Sequence, residues 1–460
     1  MKKILLFILS AVLILPHINA EGEGEKEKKE KSKADSIKTG WTFGALPVVA
    51  YDRDIGFKYG ALVNFYNFGD GSRYPMYDHS LYLEYSRTTK GSNLLQFQYD
   101  ADRLIPGIRT AFEARYATEQ GLDFYGFNGY QAKYDHAFET EDDTANYISR
   151  MFYRQDRKLI RIKADFSGDL PVNNLKWFAG VEFYHNRIDT INLDKLNKGK
   201  EEDLLPPVEG GLYQNYLNWG IIPANEATGG IHTLLKAGII FDTRDNEPNP
   251  MRGIWTDAVF IIAPGFLGDK NMTYGKLAIT HRQYFTIIPR NLNFAYRLSY
   301  QGKLFGEIPS YMLPLIFNSP PNKTRDGLGG RNTVRGLLRN RVVGEGYLYG
   351  NAELRWKFIH TKLFKQNFHI ALSAFFDAGM VVQEYEVNTS NVPDDILING
   401  KTYSKSDFFT TGNDKPHFGT GAGIRFVLND NFILAFDYGF ALRPDDDGGR
   451  APYIDLDWLF

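Results

Sequence analysis

The amino-acid sequence predicts an all-β fold, a transmembrane antiparallel β-barrel of about sixteen strands. Aromatic residues make up 15% of the 460 residues, with 28 Tyr and 34 Phe, and 44 glycines accompany them. Many strands with aromatic flanks and glycine-bearing turns explain both. Beyond the first residues, no run is long and apolar enough for a transmembrane helix. Segments that alternate apolar and polar residues fill most of the chain, which is the pattern of strands.

The alternation is clearest in the last third of the chain. Between 346 and 359 the even positions are mostly apolar and the odd positions mostly polar: Leu348, Ala352, Leu354, Trp356 and Phe358 against Asn351, Glu353, Arg355 and Lys357. The same parity places Ile454, Leu456, Trp458 and Phe460 on one apolar face. A soluble sandwich also alternates. However, the charge-rich polar faces, with no helices to cover a sheet, favour an apolar face toward lipid and a polar face toward a lumen.

Strands are predicted along the whole chain after residue 41. They lie near 44–52, 55–67, 78–90, 94–101, 107–119, 150–169, 175–189, 230–243, 253–264, 272–289, 292–306, 346–359, 367–382, 416–429, 432–442 and 451–460. Long connections near 120–149, 190–229, 307–345 and 383–415 alternate with short ones. Short turns are expected in the periplasm and long loops outside, so both termini are predicted to be periplasmic.

The first forty residues are predicted to lie outside the barrel, which spans 41–460. Lys2 and Lys3 precede an apolar run, and Ala20 offers a small residue for cleavage, so 1–20 is predicted to be a signal peptide rather than a short membrane anchor. Residues 21–40 hold six acidic and six basic residues and are predicted to form a charged, disordered periplasmic linker.

Composition also narrows the compartment and the partners. Cysteine is absent, which excludes disulfides, thiolate metal sites and a lipid on an N-terminal cysteine. The formal net charge is −2, which gives no general attraction to nucleic acid. An exported, cysteine-free, strand-rich chain points to the outer membrane of a Gram-negative bacterium.

One stretch, GGRNTVRGLLRNRVVGEG at 329–346, holds four arginines and five glycines directly before a strand. It resembles the VRGF/VRGY loop motif of the BamA/TamA-type outer-membrane family, also called the bacterial surface antigen family. Further pieces follow in family order: FYGFNG (124–129), FDTRDNEPNPMRG (241–253), GNAELRW (350–356), FFDAG (375–379), GTGAGIRF (419–426) and LAFDYG (434–439). Leu337 stands where the family has an aromatic residue. The charged segment stands where other members carry POTRA domains, so the chain is interpreted as a short member without them.

The resemblance implies that this sixth outer loop folds back into the lumen. The arginine of the motif is Arg335, between Val334 and Gly336, and the acids that it implies on the inner wall are Glu353 and Asp377. The alternation of apolar and polar positions independently places both acids on the polar face. A guanidinium and a carboxylate can form paired hydrogen bonds, and screening inside a lumen is weaker than in bulk water. We therefore predict that Arg335 locks the loop inside the barrel.

Glycines are expected to make room for the inserted loop. Gly329 and Gly330, like Gly336, permit backbone angles and close approach that other residues resist. Gly419, Gly421 and Gly423 share one inward face of a strand and leave space beside the loop. The alternative is that the arginines decorate an outer loop and bind lipopolysaccharide phosphates. We favour that alternative for Arg331, Arg339 and Arg341.

A weak seam is predicted where the first strand meets the last. Pro47 lacks the N–H for one ladder hydrogen bond and favours an edge position. The last strand is short, and Trp458 and Phe460 are expected on its outward face, with the Phe460 ring at the periplasmic interface. In family members a weak seam opens toward lipid and admits client strands. The alternative is a closed seam with Pro47 just outside the pairing.

The sequence carries no enzyme signature. His360, His369 and His417 are scattered without metal-ligand spacing, and the acidic runs at 141–143 and 445–447 lack the ligand order of a calcium loop. No serine lies in a GxSxG elbow. We therefore predict no catalytic residue, metal or cofactor.

The sequence leaves three functions open. By resemblance, the first is a role in outer-membrane biogenesis, by insertion or translocation of proteins or by lipid handling. The others are a loop-gated pore or transporter-like channel and a surface-exposed binding scaffold. The expected partners are outer-membrane lipid and lipopolysaccharide, together with client outer-membrane proteins or an accessory protein, and not nucleic acid.

Overall fold

A computed structural model describes residues 37–52, 56–141, 146–206, 210–318, 325–363, 366–429, 432–446, 451–455, 458 and 460. The predicted signal peptide 1–20 and the predicted linker as far as residue 36 lie outside these residues. Sixteen strands form one antiparallel sheet in chain order, and within it each strand pairs with its neighbours in that order. None of the helices in the described residues has the length and apolar character needed to span a bilayer.

The strands are long enough to cross a membrane when they are tilted. The sheet consists of β1 (Trp41–Asp52), β2 (Gly56–Asn67), β3 (His79–Thr88), β4 (Asn93–Ile105), β5 (Ile108–Asp123), β6 (Arg154–Asp169), β7 (Leu175–Asp189), β8 (Gly230–Asp242), β9 (Gly253–Ala263), β10 (Tyr274–Ile288), β11 (Leu292–Gly306), β14 (Gly346–Leu363), β15 (Gln366–Gln383), β18 (His417–Leu428), β19 (Phe432–Ala441) and β20 (Ala451–Asp455).

Two small ladders and several short helices lie in the connections. The ladders pair β12 (Leu315–Ile316) with β13 (Arg325–Asp326) and β16 (Asp395–Ile398) with β17 (Lys401–Ser404). The α-helices are Leu193–Asn197, Leu212–Asn218 and Lys405–Phe408, and the 3₁₀ turns are Gly129–Gln131, His136–Glu139, Gly265–Leu267, Ser310–Met312 and Pro444–Asp446. The predicted number of sheet strands, sixteen, is confirmed. The predicted bounds hold at β7 and β11, whereas β20 ends at Asp455 instead of continuing to 460.

The burial of the strands is the reverse of that in a soluble protein. In β14 the side chain of Trp356 is 49% exposed, whereas that of the neighbouring Arg355 is 1% exposed. Apolar residues at even positions of this strand therefore face outward, and charged residues at odd positions face inward, as the alternation predicts. This arrangement suits a barrel that has lipid outside and a polar lumen inside.

The long loops pack into a folded cap at one end of the sheet, which we call the long-loop end. Side chains from 124–153, 190–229, 307–318 and 384–416 share one hydrophobic cluster. At its centre Phe152 is fully buried, and Tyr216 lies 5.3 Å from Phe124 between ring centroids. Trp219 packs against Phe408, with ring centroids 5.7 Å apart. The cap is therefore a single packed unit built from four separate loops.

The connection 243–252 covers the other end, which we call the short-turn end. Its Glu247 is paired with Arg109 at 2.7 Å. Asn293 donates a 3.1 Å hydrogen bond to the main-chain oxygen of Pro250. Beside them a small cavity of about 30 Å³ is lined by Arg109, Arg244 and Trp255, among others. The lumen thus has covers at both ends.

Several charged residues of the lumen wall pair with one another. Arg161 contacts Glu182 at 2.6 Å, and Lys236 contacts Glu182 at 3.1 Å. On the next strands Arg282 contacts Asp257 at 2.7 Å. Buried charges need such partners, because breaking one pair leaves a charge without solvent or counter-charge.

A buried carboxyl group makes the cap sensitive to pH. Burial raises the pKa of Glu139 to about 7, against the opposing hydrogen bond from Tyr134. Arg154 Nη2 lies 3.9 Å away, and the Tyr125 and Tyr153 rings pack around Tyr134. Because the pKa is higher in the folded cap than the ordinary 4.5, the protonated form stabilises the cap. This contribution is complete below about pH 4.5 and is lost as the pH rises to about 7.

We expect hydrogen exchange in 124–141 and 146–153 to quicken between pH 5 and pH 8, after correction for the intrinsic rate. The substitution Glu139→Gln should remove that change, since an amide does not titrate. Glu384→Gln, on an exposed side chain of another cap loop, is the matched control and should leave the pH dependence intact. An unchanged pH dependence in Glu139→Gln would contradict this assignment.

Candidate functional site

The connection between β11 and β14 contributes 307–318 to the cap and then enters the barrel. Leu328 pairs with Val342 in an antiparallel bridge, which brings the two arms of the inserted loop together. Thr333 Oγ1 accepts from the Gly329 N–H at 2.9 Å and tightens the tip. An apolar cluster holds the loop against the strands; it contains Ile316, Leu328, Val334, Leu337, Val342, Tyr347, Tyr349 and Val381. The predicted insertion of this loop into the lumen is confirmed.

Arg335 is fully buried at the tip of the inserted loop and is paired with Asp377 in β15. Arg335 Nε and Nη2 donate to the two carboxylate oxygens of Asp377 at 2.8 and 3.0 Å. The main-chain N–H of Arg335 donates to the same carboxylate at 3.0 Å. Arg335 Nη1 lies 2.7 Å from Glu353 Oε1 in β14, and all three side chains are 0% exposed. The predicted contacts with Asp377 and Glu353 are therefore present.

Two further residues complete the surroundings of Arg335. Asp437 in β19 lies 3.2 Å from Arg335 Nη1. The Phe375 ring lies under the guanidinium, 3.5 Å from Cζ to the ring centroid, where a cation is attracted by the face of the ring. Asp437 is not among the acids that the sequence predicts for the lock. A signal was present, because Asp437 lies on the polar side of the alternation in 432–442, at the position that faces the lumen.

Glycines make room for this geometry, as predicted. Gly336 has φ +99°, which side chains resist, and a Cβ there would overlap the main chain of Phe440. Its N–H donates to the Tyr453 hydroxyl at 3.0 Å. A Cβ on Gly419 would overlap the main-chain oxygen of Arg335, so the loop tip touches the strand backbone. Gly329 and Gly330 also have positive φ, at +118° and +76°.

The other two predicted glycines serve the wall of the site. A Cβ on Gly421 would lie 2.6 Å from the Phe375 ring, which stacks on Arg335. A Cβ on Gly423 would overlap the Asp437 carboxylate. The groups that surround Arg335 thus occupy the space that the glycines of β18 leave open.

The prediction that Arg341 decorates the outside of the loop is wrong. Arg341 is 1% exposed, and its Nη1 donates to the Gly129 oxygen at 3.0 Å. Arg339 is 42% exposed, like a surface residue, although it also pairs with Asp326 at 2.7 Å and Glu119 at 2.8 Å. The loop folds inward, so both side chains reach wall and cap groups that are distant in sequence. Arg331 remains a surface residue, and its Nη1 donates to the Ile454 oxygen at 2.6 Å.

A second ionic attachment holds the loop to the opposite wall. Arg157 in β6 is 2% exposed and lies 2.7 Å from Asp326 in the loop. Arg157 also lies 2.7 Å from Glu119 in β5. The inserted loop is thus tied to β14, β15 and β19 on one side and to β5 and β6 on the other.

Trp458 and Phe460 lie inside the lumen, which corrects the prediction that both face outward at the periplasmic interface. They are 4% and 5% exposed. Trp458 packs with Ala371, Val427 and Ile433, and Phe460 packs with Tyr284 and Ala295. The physical reason is a group of arginines in the lumen. These arginines are better partners for the two aromatic rings and a main-chain oxygen than a short strand at the end of the sheet would be.

The two ends of the sheet order, β1 and β20, share no ladder within the described strands. Pro47 lies within the pairing of β1, opposite Ala61 of β2. The ladder continues on both sides of it, so the missing N–H does not end the pairing. On the seam side, a Cβ on Gly44 would lie 2.5 Å from the Phe432 ring of β19. Strand β1 therefore touches β19 below the short β20.

The histidines have structural partners. His417 is buried between Asp446, 2.7 Å from Nδ1, and Asp414, 3.0 Å from Nε2, and stacks on Tyr130. His369 lies near Asn249 of the short-turn cover, at 3.4 Å. No group of three or more residues in the described ranges is arranged to hold a metal ion.

The fold and the occupied lumen define the class of protein: an outer-membrane β-barrel with a loop locked inside it by an arginine. The Omp85 superfamily domain matches residues 107–452. The match covers well over half of the chain, and the chain belongs to the Omp85 superfamily, whose members are outer-membrane barrels of Gram-negative bacteria. The resemblance stated from the sequence is confirmed.

A solved structure shares the fold at low identity. CdiB from Escherichia coli is 11% identical, with a TM-score of 0.52 over 91% of this chain and 62% of that chain. BamA from Haemophilus ducreyi lacking POTRA domains 1–3 is 15% identical, with a TM-score of 0.47 over 91% of this chain and 70% of that chain. The chain thus spans less than two thirds of the CdiB structure. No curated protein sequence matches significantly.

Replacing Arg335 by alanine should destabilise the barrel strongly. The substitution leaves Asp377 and Glu353 buried without their main counter-charge, which costs about 3–5 kcal/mol when the pair is fully desolvated. The measurement is the free energy of unfolding in urea, with the protein in lipid vesicles. Arg187→Ala, at an exposed position of β7, is the matched control and should change the free energy by less than about 0.5 kcal/mol. Equal effects of the two substitutions would count against a buried lock.

Proposed function

We propose that this Omp85 barrel acts in outer-membrane biogenesis by handling polypeptides at the seam between β1 and β20. The observation that carries the proposal is the seam itself: β20 pairs with β19 only from Ala451 to Asp455, and no ladder joins β20 to β1 among the described strands. Unpaired strand edges are templates on which another chain can form a strand. A client polypeptide is therefore the proposed substrate.

The lower part of β19 supports this role. Its residues Phe432, Ile433 and Leu434 lie beyond the last pair with β20, which joins Ala435 to Asp455. At this point the barrel wall is held by the contact between Gly44 and the Phe432 ring instead of by a continuous ladder. An unpaired edge presents N–H and C=O groups on which an incoming strand can pair.

The proposed orientation places the short-turn end in the periplasm and the cap outside. Short periplasmic turns and long outer loops are usual for outer-membrane barrels. Both termini of the barrel then lie on the periplasmic side, where exported polypeptides arrive. Outer-membrane lipid and lipopolysaccharide are the proposed surroundings of the apolar face, and client outer-membrane proteins or an accessory protein are the proposed partners.

The occupied lumen makes a static pore the weaker proposal. The cap, the inserted loop and the connection 243–252 lie in series along the barrel axis, and buried ion pairs such as Arg282 with Asp257 fill the wall between them. Conduction would require the loop to leave. The packed cap, built from four loops, instead favours a surface scaffold as the second candidate, since it presents one rigid outer surface.

Locking the seam should abolish function. The substitutions Gly44→Cys and Phe432→Cys place two thiols where a Cβ on Gly44 now approaches the Phe432 ring, in a chain without cysteine. We expect the reduced protein to rescue a strain depleted of the natural chain and the oxidised protein to fail. The measurement is growth together with the outer-membrane proteome and lipid composition after depletion.

The control is a disulfide in an ordinary ladder, with Val63→Cys and Leu83→Cys at paired positions of β2 and β3. It should leave rescue unchanged in both redox states. Full rescue by the oxidised seam variant would rule out lateral opening. In that case, loss of partner capture after trimming of the loops 190–229 and 384–416 would identify the scaffold function.

The conductance of Arg335→Ala distinguishes a passive pore from a protein that works at the seam. In a planar bilayer the purified natural chain should show little steady conductance, because its lumen is occupied. Arg335→Ala should raise the conductance, since the loop is no longer held by Asp377 and Glu353. A steady conductance of the natural chain, unchanged in Arg335→Ala, would favour a passive pore.

A further inference from the structure

Three exposed cations lie in one lateral line on the outward face of the barrel, at the long-loop end. They are Arg87, Lys158 and Arg187, and each belongs to the outward-facing set of its strand. The strand registers connect them, because each residue of the line is opposite the next. The cationic line runs through Arg87 (β3), Asn93 (β4), Thr118 (β5), Lys158 (β6) and Arg187 (β7).

The cationic line borders the apolar band that faces lipid. Two residues along each strand toward the membrane, about 7 Å away, the next lateral row is mostly apolar and exposed. Tyrosine rings are typical of the boundary between acyl chains and head groups. The cationic line therefore lies at the level of lipid head groups. The row below it consists of Tyr85, Leu95, Tyr116, Ile160 and His185.

Two of the three cations face each other without an acid between them. Lys158 and Arg187 are directly opposite in the pairing of β6 with β7. Side chains in such a pair start about 4.5–5.5 Å apart, and like charges in this position repel. An anion placed between the two side chains would remove that repulsion. The guanidinium can donate two hydrogen bonds to one phosphate, and the ammonium adds a point charge.

Two acids lie on the water side of the cationic line. Asp156 and Asp189 form the next outward-facing pair of β6 and β7. As diagonal neighbours of Lys158 and Arg187 they stand about 7–8 Å away, a separation at which water and salt weaken the attraction. They are also farther from the bilayer than the cations. The head-group level of this wall therefore keeps an excess of positive charge.

The middle of the cationic line is neutral and internally satisfied. Thr118 Oγ1 accepts from the Asn93 main-chain N–H at 2.8 Å and from Asn93 Nδ2 at 3.1 Å. The charged side chains thus form two flanks, with Arg87 on one side and Lys158 with Arg187 on the other. Three strand spacings separate Arg87 from Lys158, which is roughly 14 Å along the sheet.

The opposite wall of the barrel has a different outer edge. Near the long-loop end, the outward faces of β11 and β15 carry Leu304 and Val382, and Leu442 directly follows β19. All three are exposed. Cations therefore replace apolar side chains at the outer edge on the wall from β3 to β7, which makes the feature specific to one side of the barrel.

We propose that the cationic line is a binding site for the phosphorylated head group of a glycolipid of the lipopolysaccharide type. Lipid A carries phosphates at both ends of a disaccharide. One phosphate can reach Arg87, and the other can lie between Lys158 and Arg187. The acyl chains then pack on the row that contains Tyr85, Leu95 and Tyr116. The inference rests on the proposed function only for the orientation, which places the long-loop end outside.

Local quenching tests whether the glycolipid concentrates at this wall. The chain has no cysteine, so Leu95→Cys, directly below the cationic line, can carry a single fluorophore. Leu304→Cys, on the opposite wall, is the matched position, because both leucines are 53% exposed. The purified full-length protein is placed in phosphatidylcholine nanodiscs with increasing mole fractions of lipid A that carries a nitroxide on an acyl chain. Half-quenching should need less lipid A at position 95 than at position 304.

Charge removal should abolish this preference. Each single substitution, Arg87→Gln, Lys158→Gln or Arg187→Gln, should raise the half-quenching mole fraction at position 95 by about fivefold. The triple variant should make positions 95 and 304 equal. The matched control removes three exposed cations from other places, with Arg252→Gln, Arg290→Gln and Lys415→Gln. It should keep the preference of the parent. Folding of each variant is checked by the shift in gel mobility on heating.

The choice of lipid distinguishes a glycolipid site from a general attraction of anions. Dephosphorylated lipid A and phosphatidylglycerol, each with the same nitroxide, should show no preference for position 95. An equal preference for either lipid would overturn the assignment, as would equal quenching by lipid A at the two positions of the parent. Retention of the preference in the triple variant, or its loss in the control, would do the same.

The outcome is independent of the function proposed at the seam. The quenching assay contains no client polypeptide and no cell. A depletion phenotype that the oxidised seam variant rescues would refute lateral opening and leave the glycolipid site standing. Conversely, equal quenching at positions 95 and 304 would refute the glycolipid site and leave the seam function standing.

Discussion

The rest of the structure depends on one buried guanidinium. Arg335 has no exposed surface, so three carboxylates and one aromatic ring must replace its hydration. Those groups come from β14, β15 and β19, and the loop that carries Arg335 must therefore cross the lumen to reach them. The glycines of β18 are a consequence of the same requirement, because a side chain at Gly419 would occupy the place of the loop backbone.

Because both ends of the lumen are covered, charged side chains inside it need counter-charges at many places besides the lock. Away from the lock, Arg161, Lys236 and Glu182 form a shared network, and Arg157 ties the loop to β5 and β6 through carboxylates. On the opposite face of the same strands, apolar side chains meet lipid and need no specific partner. The barrel is thus specified inside by particular ion pairs and outside by composition alone.

The site could be predicted in part. Parity placed Glu353 and Asp377 on the lumen face, and the resemblance connected them with Arg335, since the motif lies 18 and 42 positions before the two acids in the chain. Asp437 was on the correct face but no motif tied it to the loop. Arg341 was assigned to the surface because its partner, the Gly129 oxygen, belongs to another cap loop more than two hundred residues earlier. Such a contact leaves no trace in local sequence.

The sequence by itself determined the number of strands, most of their bounds to within a few residues and the face on which most side chains of the sheet lie. These properties follow from a period of two residues, which is local and is imposed by a bilayer on every spanning strand. Only the tertiary structure decided where the segment with Trp458 and Phe460 lies. Its alternation suits a strand in lipid, but Arg355, Arg425 and Arg297 from three separate strands converge on its rings in the lumen. That convergence exists only once the barrel has formed, because residues distant in the chain must first be brought together.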